Sequence, residues 1–174
     1  MQTFKILFSI FFDICRFKLG PQDLPTSSLL LKITLLFYVM VGGILSLLQS
    51  SVNEALLSTL LEATMMVLLV SSLLYFTGLS TRIVQTLTAL AGTGTIITIL
   101  SIPLVNWFEQ AKLVQQDLTL PIILILCFMW WNFAVYAHIL RQALEVNLST
   151  SLIVTMVIYI FTLTVLEQLI PLSH

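Results

Sequence analysis

Charge is what this chain has least of. Lys, Arg, Asp and Glu make up 9% of its 174 residues, against 59% hydrophobic, where soluble domains carry roughly a quarter charged residues. So few charges cannot cover a water-facing surface, which excludes a soluble globular protein and leaves lipid as the solvent. The net charge of −1 supplies no basic field for nucleic acid. Cysteine is scarce as well. Cys15 and Cys127 lie far apart and form no CxxC pair, so a zinc knuckle or redox motif is unsupported and both thiols are expected to behave as small hydrophobes. No HExxH, GxSxG, Walker or GxGxxG motif occurs, and no segment between the apolar runs is long enough to fold as a catalytic domain. Lys5, Asp13, Arg16 and Lys18 interrupt the first 20 residues and no small-x-small site precedes Pro21, so a cleaved signal is not expected.

What the chain does have is long apolar runs. A spanning helix needs about 20 apolar residues, and five segments qualify: residues 28–49, 55–77, 84–105, 120–140 and 150–170. Their ends carry helix punctuation. Pro25 to Ser28 cap the first and Asn53 the second, Thr77-Gly78 stops the second, and Ser80 or Thr81 caps the third. Pro121 falls in the first turn of the fourth, Asn147 to Thr150 cap the fifth, and Pro171 closes it. The fold class is therefore all-α, an integral bundle of five transmembrane helices over 21–174. An amphipathic helix over 1–20 precedes it, with Gln2, Lys5, Ser9, Asp13 and Arg16 forming a polar stripe. That stripe places this segment in the membrane interface, with Lys5, Arg16 and Lys18 near lipid phosphates, rather than as a sixth span. Alternating the loops puts Lys5, Arg16, Lys18, Lys32, Arg82 and Arg141 on the N-terminal side and Lys112 on the other. The positive-inside rule then sets the N-terminus in the cytoplasm and the C-terminus outside.

Polar residues inside apolar spans are costly, and so each is a candidate for function. Glu62 shares a helix face with Glu54 and Ser58. It reads either as a proton- or cation-binding carboxylate near the outer leaflet, or as a residue on a projecting helix end, with hydrocarbon beginning near Ala63. The second reading is preferred, so Glu62 is not expected to support proton-coupled transport. A polar route past it would need Asn132, Thr95 and Thr98 from other spans. Asn132 needs an interhelical hydrogen bond, and its neighbours Trp130 and Trp131 either line a lipid or quinone groove or pack between helices, the latter preferred. His138 is expected to bond a backbone carbonyl, and Arg141 to pair with Glu145 one turn away. Bis-histidine haem lacks its second intramembrane ligand, and no cofactor or metal is expected. Gly42/Ser46, Thr88/Gly92 and Gly94/Thr98 have the spacing of close helix packing.

Three stretches carry a family resemblance: Leu19-Gly20-Pro21-Gln22-Asp23-Leu24-Pro25 before the first span, Gly92 to Pro103 in the third, and Trp131, Tyr136, His138 and Arg141 in the fourth. With them the chain resembles the Yip family of five-span membrane proteins. The resemblance implies the five-span fold, a cytoplasmic N-terminus and, in this short form, a bacterial inner-membrane protein of unassigned activity. The long hydrophilic region of eukaryotic, Rab-interacting members has no counterpart in this sequence, so Rab binding is not implied. Two functions are left. One is a non-catalytic accessory, assembly or membrane-organising protein, partnered by lipid and by other membrane chains or its own copies. The alternative is a small transporter or channel using Glu62 and Asn132. An intramembrane enzyme comes third.

Overall fold

A computed structural model describes residues 2–169, with side chains from residue 6 onward. Six α-helices account for nearly all of them: α1 (Gln2–Cys15), α2 (Ser28–Ser46), α3 (Val52–Phe76), α4 (Ile83–Leu113), α5 (Thr119–Leu144) and α6 (Leu148–Leu169). There is no strand among the described residues. Helices α2 to α6 are each long and apolar enough to cross a bilayer. Their outward faces are apolar, with Leu29, Phe76, Leu113 and Trp130 all at least 67% exposed. Water would not tolerate that surface and hydrocarbon does. The chain is an integral membrane protein.

The helix ends follow from local chemistry. Ser27 Oγ accepts the Leu30 N–H at the start of α2, and Asn147 Oδ1 accepts the Thr150 N–H at the start of α6. At α3 the cap is Ser51 rather than Asn53, because Glu54 completes a capping box with it. This starts α3 earlier than the apolar run. Gly78, at φ 77°, ends α3 in a Schellman turn in which Leu79 N–H reaches Leu74 O and Gly78 N–H reaches Tyr75 O. The largest departure is α4, expected to end at Val105 and running instead to Leu113 through Pro103. Proline inside a spanning helix is tolerated where neighbouring helices support the backbone. Its last turns are amphipathic, with Lys112 beside Glu109 at 4.0 Å. Pro171 and the side chain of Lys5 lie outside the described residues.

α4 is the axis of the bundle. Half of its most apolar stretch is buried, against at most 22% for any other span, and α1, α2, α3 and α5 pack on it. Small residues permit this. An added Cβ at Gly92 would meet the Phe11 ring at 2.4 Å, one at Gly94 the Tyr38 ring at 2.8 Å, and one at Gly42 the Thr59 methyl at 3.0 Å. The buried threonines of α4 satisfy their hydroxyls on the preceding turn: Thr86, Thr88, Thr93 and Thr95 each donate to the carbonyl four residues back, at 2.6–2.8 Å. These four hydroxyls thereby enter the interior with their protons satisfied.

α1, at 14 residues, is shorter than the roughly 20 a span requires. It is docked rather than free. Phe11, Ile14 and Cys15 are buried against the bundle, while Phe8 and Phe12 face outward. Gly92, which receives Phe11, lies roughly 15 Å along α4 from Arg82 at 1.5 Å per residue, so α1 leans along the bundle rather than sealing its end. The turns at 17–27, 77–82 and 145–147 share one end of the bundle, called proximal below. The α2–α3 and α4–α5 turns mark the distal end.

Candidate functional site

Two polar assemblies emerge, one holding α1 in place and one inside the bundle. In the first, Trp131 Nε1 donates to Cys15 O at 3.0 Å, His138 Nε2 lies 3.0 Å from Leu19 O, and Gln85 Nε2 donates to Leu24 O at 2.6 Å. Gln22 Nε2 donates to Gln142 Oε1 at 2.7 Å. The Phe17 ring meets His138 edge-on with centroids 5.3 Å apart. Arg82 closes the same end, donating to Ala143 O at 3.1 Å and pairing with Glu145. The expected Arg141–Glu145 pair does not form. Glu145 ends α5 at φ 57°, in the left-handed region, so it leaves the helical spacing on which that pair relied and turns to Arg82. Arg141 is exposed. Trp130 also departs from expectation. It is 70% exposed on the lipid face, stacked edge-on with Phe133 of its own helix, because Trp131 one position on takes the inward direction.

The second assembly surrounds Glu62. Glu62 lies roughly 15 Å along α3 from Val52 on the side that faces α2, where Tyr38 donates its hydroxyl to Glu62 Oε1 at 2.8 Å. Gly94 is what lets the Tyr38 ring lie across α4. From α5, Asn132 Nδ2 donates to the Tyr159 hydroxyl of α6 at 3.2 Å. The Tyr159 ring stands edge-on to Tyr136 (centroids 5.4 Å apart) and to Phe133 (5.7 Å). The Tyr136 hydroxyl is buried and finds no hydrogen-bond partner among the described residues.

These groups line a cavity of about 240 Å³ floored by Met66, Leu90 and Ile158. It adjoins a second hollow of about 480 Å³ that shares Tyr38, Glu62, Thr98 and Asn132 and continues to Ser46, Gln49, Ser58 and Ser101. The polar lining therefore runs from the distal end, where Gln49 and Ser46 lie, to mid-bundle. Through it Glu62 stays accessible. The route that α3 lacks on its own is supplied by neighbours: Asn132 and Thr98 line it, and Thr95 does not. No Lys, Arg or His lines either hollow. Among the described residues, no three His, Cys, Asp or Glu side chains gather as a metal site would require.

Protein-family models, curated proteins and solved structures yield no match to this chain.

The fold and the site thus rest on the chain's own residues. Of the residues singled out from sequence, Glu62 and Asn132 share the cavity and His138 belongs to the α1 assembly. Arg141 joins neither. Gly92 and Gly94 are contact points for Phe11 and Tyr38, and Gly42 with Ser46 sits at the wall of the larger hollow. Sequence reasoning missed the three tyrosines as a group. Their signal was position: Tyr38, Tyr136 and Tyr159 all fall well inside spans, away from the interfaces where tyrosine usually anchors a helix.

Proposed function

We propose that this protein is a small, non-catalytic membrane carrier whose solute site is the cavity around Glu62. One observation carries the reading: an accessible carboxylate, an amide and three phenols from four helices converge on a mid-bundle cavity that continues as a polar hollow to the distal end. Intramembrane polar residues are expensive to place, and they mark solute and ion pathways. The accessory-subunit reading leans on a lack of paired intramembrane charges and of soluble domains; the convergence of polar side chains on one cavity is what favours the carrier. Arg16, Lys18, Lys32, Arg82 and Arg141 toward the proximal end, against Lys112 at the distal end, support a cytoplasmic proximal end, so that the hollow opens outward. The Gly20-Pro21 turn, buried against α4 and α5, supports carrying a Yip-like relationship forward as part of the proposal, along with a bacterial inner membrane.

The test is a thermal-shift screen of the purified full chain in mild detergent against amines, amino acids, polyols, sugars and carboxylic acids. Each solute that shifts melting is then measured by counterflow in proteoliposomes. A solute at about 100 times its Kd stabilises by about 2.7 kcal/mol, a shift of several degrees for a chain of this size. At least one class should raise the melting temperature and be taken up, and Glu62→Gln should remove both effects. If no solute shifts melting while a stable set of other chains co-purifies, the accessory-subunit reading replaces this one.

A further inference from the structure

We propose that the solute is a small organic ammonium, its charge beside Glu62 and its carbon part against the rings of Tyr136 and Tyr159; this rests on the carrier reading and narrows it. The first ground is charge. Glu62 is the one ionisable acid or base of ordinary range in the lining, and no Lys, Arg or His faces it from α2, α3, α4, α5 or α6. An anion would meet an unscreened carboxylate in a low-dielectric site, and a neutral polyol would leave that carboxylate without a counter-charge. A cation answers both problems.

The second ground is the balance of donors and acceptors. Tyr38 spends its proton on Glu62, leaving Glu62 Oε2 as a free acceptor direction. Asn132 spends an amide hydrogen on Tyr159, leaving its carbonyl oxygen. Thr162 donates to Ile158 O at 2.8 Å, leaving the lone pairs of its hydroxyl. Tyr136 lines the same cavity, with its own hydroxyl buried and unpartnered. An ammonium brings up to three donors and no acceptor, which is the complement of this wall.

The third ground separates an organic cation from a metal ion. A hard metal ion seeks six or more oxygens, usually with several carboxylates, and one carboxylate among phenols and leucines does not supply them. Aromatic faces do attract alkylammonium groups, and Met66, Leu90, Ile158 and Leu163 provide apolar contact for carbon. A volume of about 240 Å³ is below the roughly 300–1,000 Å³ of drug-sized pockets, so the ligand is small.

Isothermal titration of the purified full chain tests this with four probes: ethanolamine, choline, the neutral choline isostere 3,3-dimethylbutanol, and sodium. Ethanolamine or choline should bind and the neutral isostere should not. Glu62→Gln should weaken that binding by about thirtyfold or more, as expected for removing one partner of a desolvated charge pair. Thr162→Val keeps the shape of a cavity-lining side chain and deletes its acceptor, so it should fold like the parent and still weaken ethanolamine several-fold. It also carries the test if Glu62→Gln fails to fold. The inference is overturned if the neutral isostere binds as tightly as the tighter of ethanolamine and choline, if sodium alone occupies the site, or if a folded Glu62→Gln keeps full affinity. Binding and uptake of a different solute class, with no ammonium bound, would sink this inference and leave the carrier reading standing. A thermal-shift screen silent for every class would sink both.

Discussion

Tyr38, Tyr136 and Cys15 show how much a single side chain's meaning depends on what it faces. Neither tyrosine stood out in the sequence as a polar candidate, yet one hydrogen-bonds Glu62 and the other lines the same cavity with its hydroxyl buried and unpartnered. Glu62 was visible as a costly residue, but which side of α3 met its neighbours was not, since the direction depends on Gly94 admitting Tyr38. The cysteines diverge in the same way. Cys15 is buried and Cys127 exposed, and burial pushes the Cys15 thiol up to about 12 despite a backbone hydrogen bond that lowers it. The thiolate is the reactive form, so in a chain with Cys127→Ala, Cys15 should resist N-ethylmaleimide at pH 8. Mass spectrometry should count no adduct on the folded chain in detergent and one after unfolding. The sign for stability follows: a raised thiol favours the folded state fully below its ordinary value of 9.0, and that contribution is lost as pH climbs from there toward 12. An adduct formed on the folded chain as fast as on the unfolded one would show that Cys15 is not enclosed.

At the scale of elements, helix starts were legible because capping is local chemistry, and so were the five apolar runs. The end of α4 was not. The apolar run stops at Val105, but the helix continues to Leu113, with Lys112 beside Glu109 in its last turns. The docking of α1 was also hidden. Its polar stripe is a one-dimensional pattern, while its seat depends on Gly92 being bare and on Trp131, His138 and Gln85 reaching backbone carbonyls of residues 15–24. Thr88/Gly92 spacing announced a close approach without naming Phe11 as what approaches. Gly92→Ala tests the seat. The new methyl would overlap the buried Phe11 ring, and overpacking of this kind costs about 1–3 kcal/mol. The variant should melt several degrees lower in detergent, and limited proteolysis should cut within α1 faster. Phe11→Leu added to Gly92→Ala should recover part of the loss, since the smaller side chain clears the methyl. Equal loss with and without the second change would show that α1 does not depend on this contact.

For the whole molecule, the same charges that are too few to cover a soluble surface are placed to orient a membrane one. Lys32, Arg82 and Arg141 lie at the proximal end together with Arg16 and Lys18, whereas Lys112 lies at the distal end. A translocated basic residue is disfavoured near a span end, and this bias is the ground for the proposal that the proximal end is cytoplasmic. This count also supports the number of spans, because removing one would carry Arg141 to the other side. Orientation decides what the cavity means. With the proximal end cytoplasmic, the polar hollow from Gln49 to Glu62 faces outward, and the floor of Met66, Leu90 and Ile158 separates it from the cell interior. Single cysteines at Thr26, before α2, and Gln116, between α4 and α5, test the arrangement in a chain with Cys15→Ala and Cys127→Ala. Both positions are exposed and neither side chain anchors a cap. A membrane-impermeant maleimide added to intact cells should label Gln116→Cys and leave Thr26→Cys unlabelled until the cells are opened. Labelling of Thr26→Cys alone would invert the molecule and turn the hollow toward the cytoplasm. Labelling of both in intact cells would mean that the two turns share a face, which an odd number of crossings between them forbids.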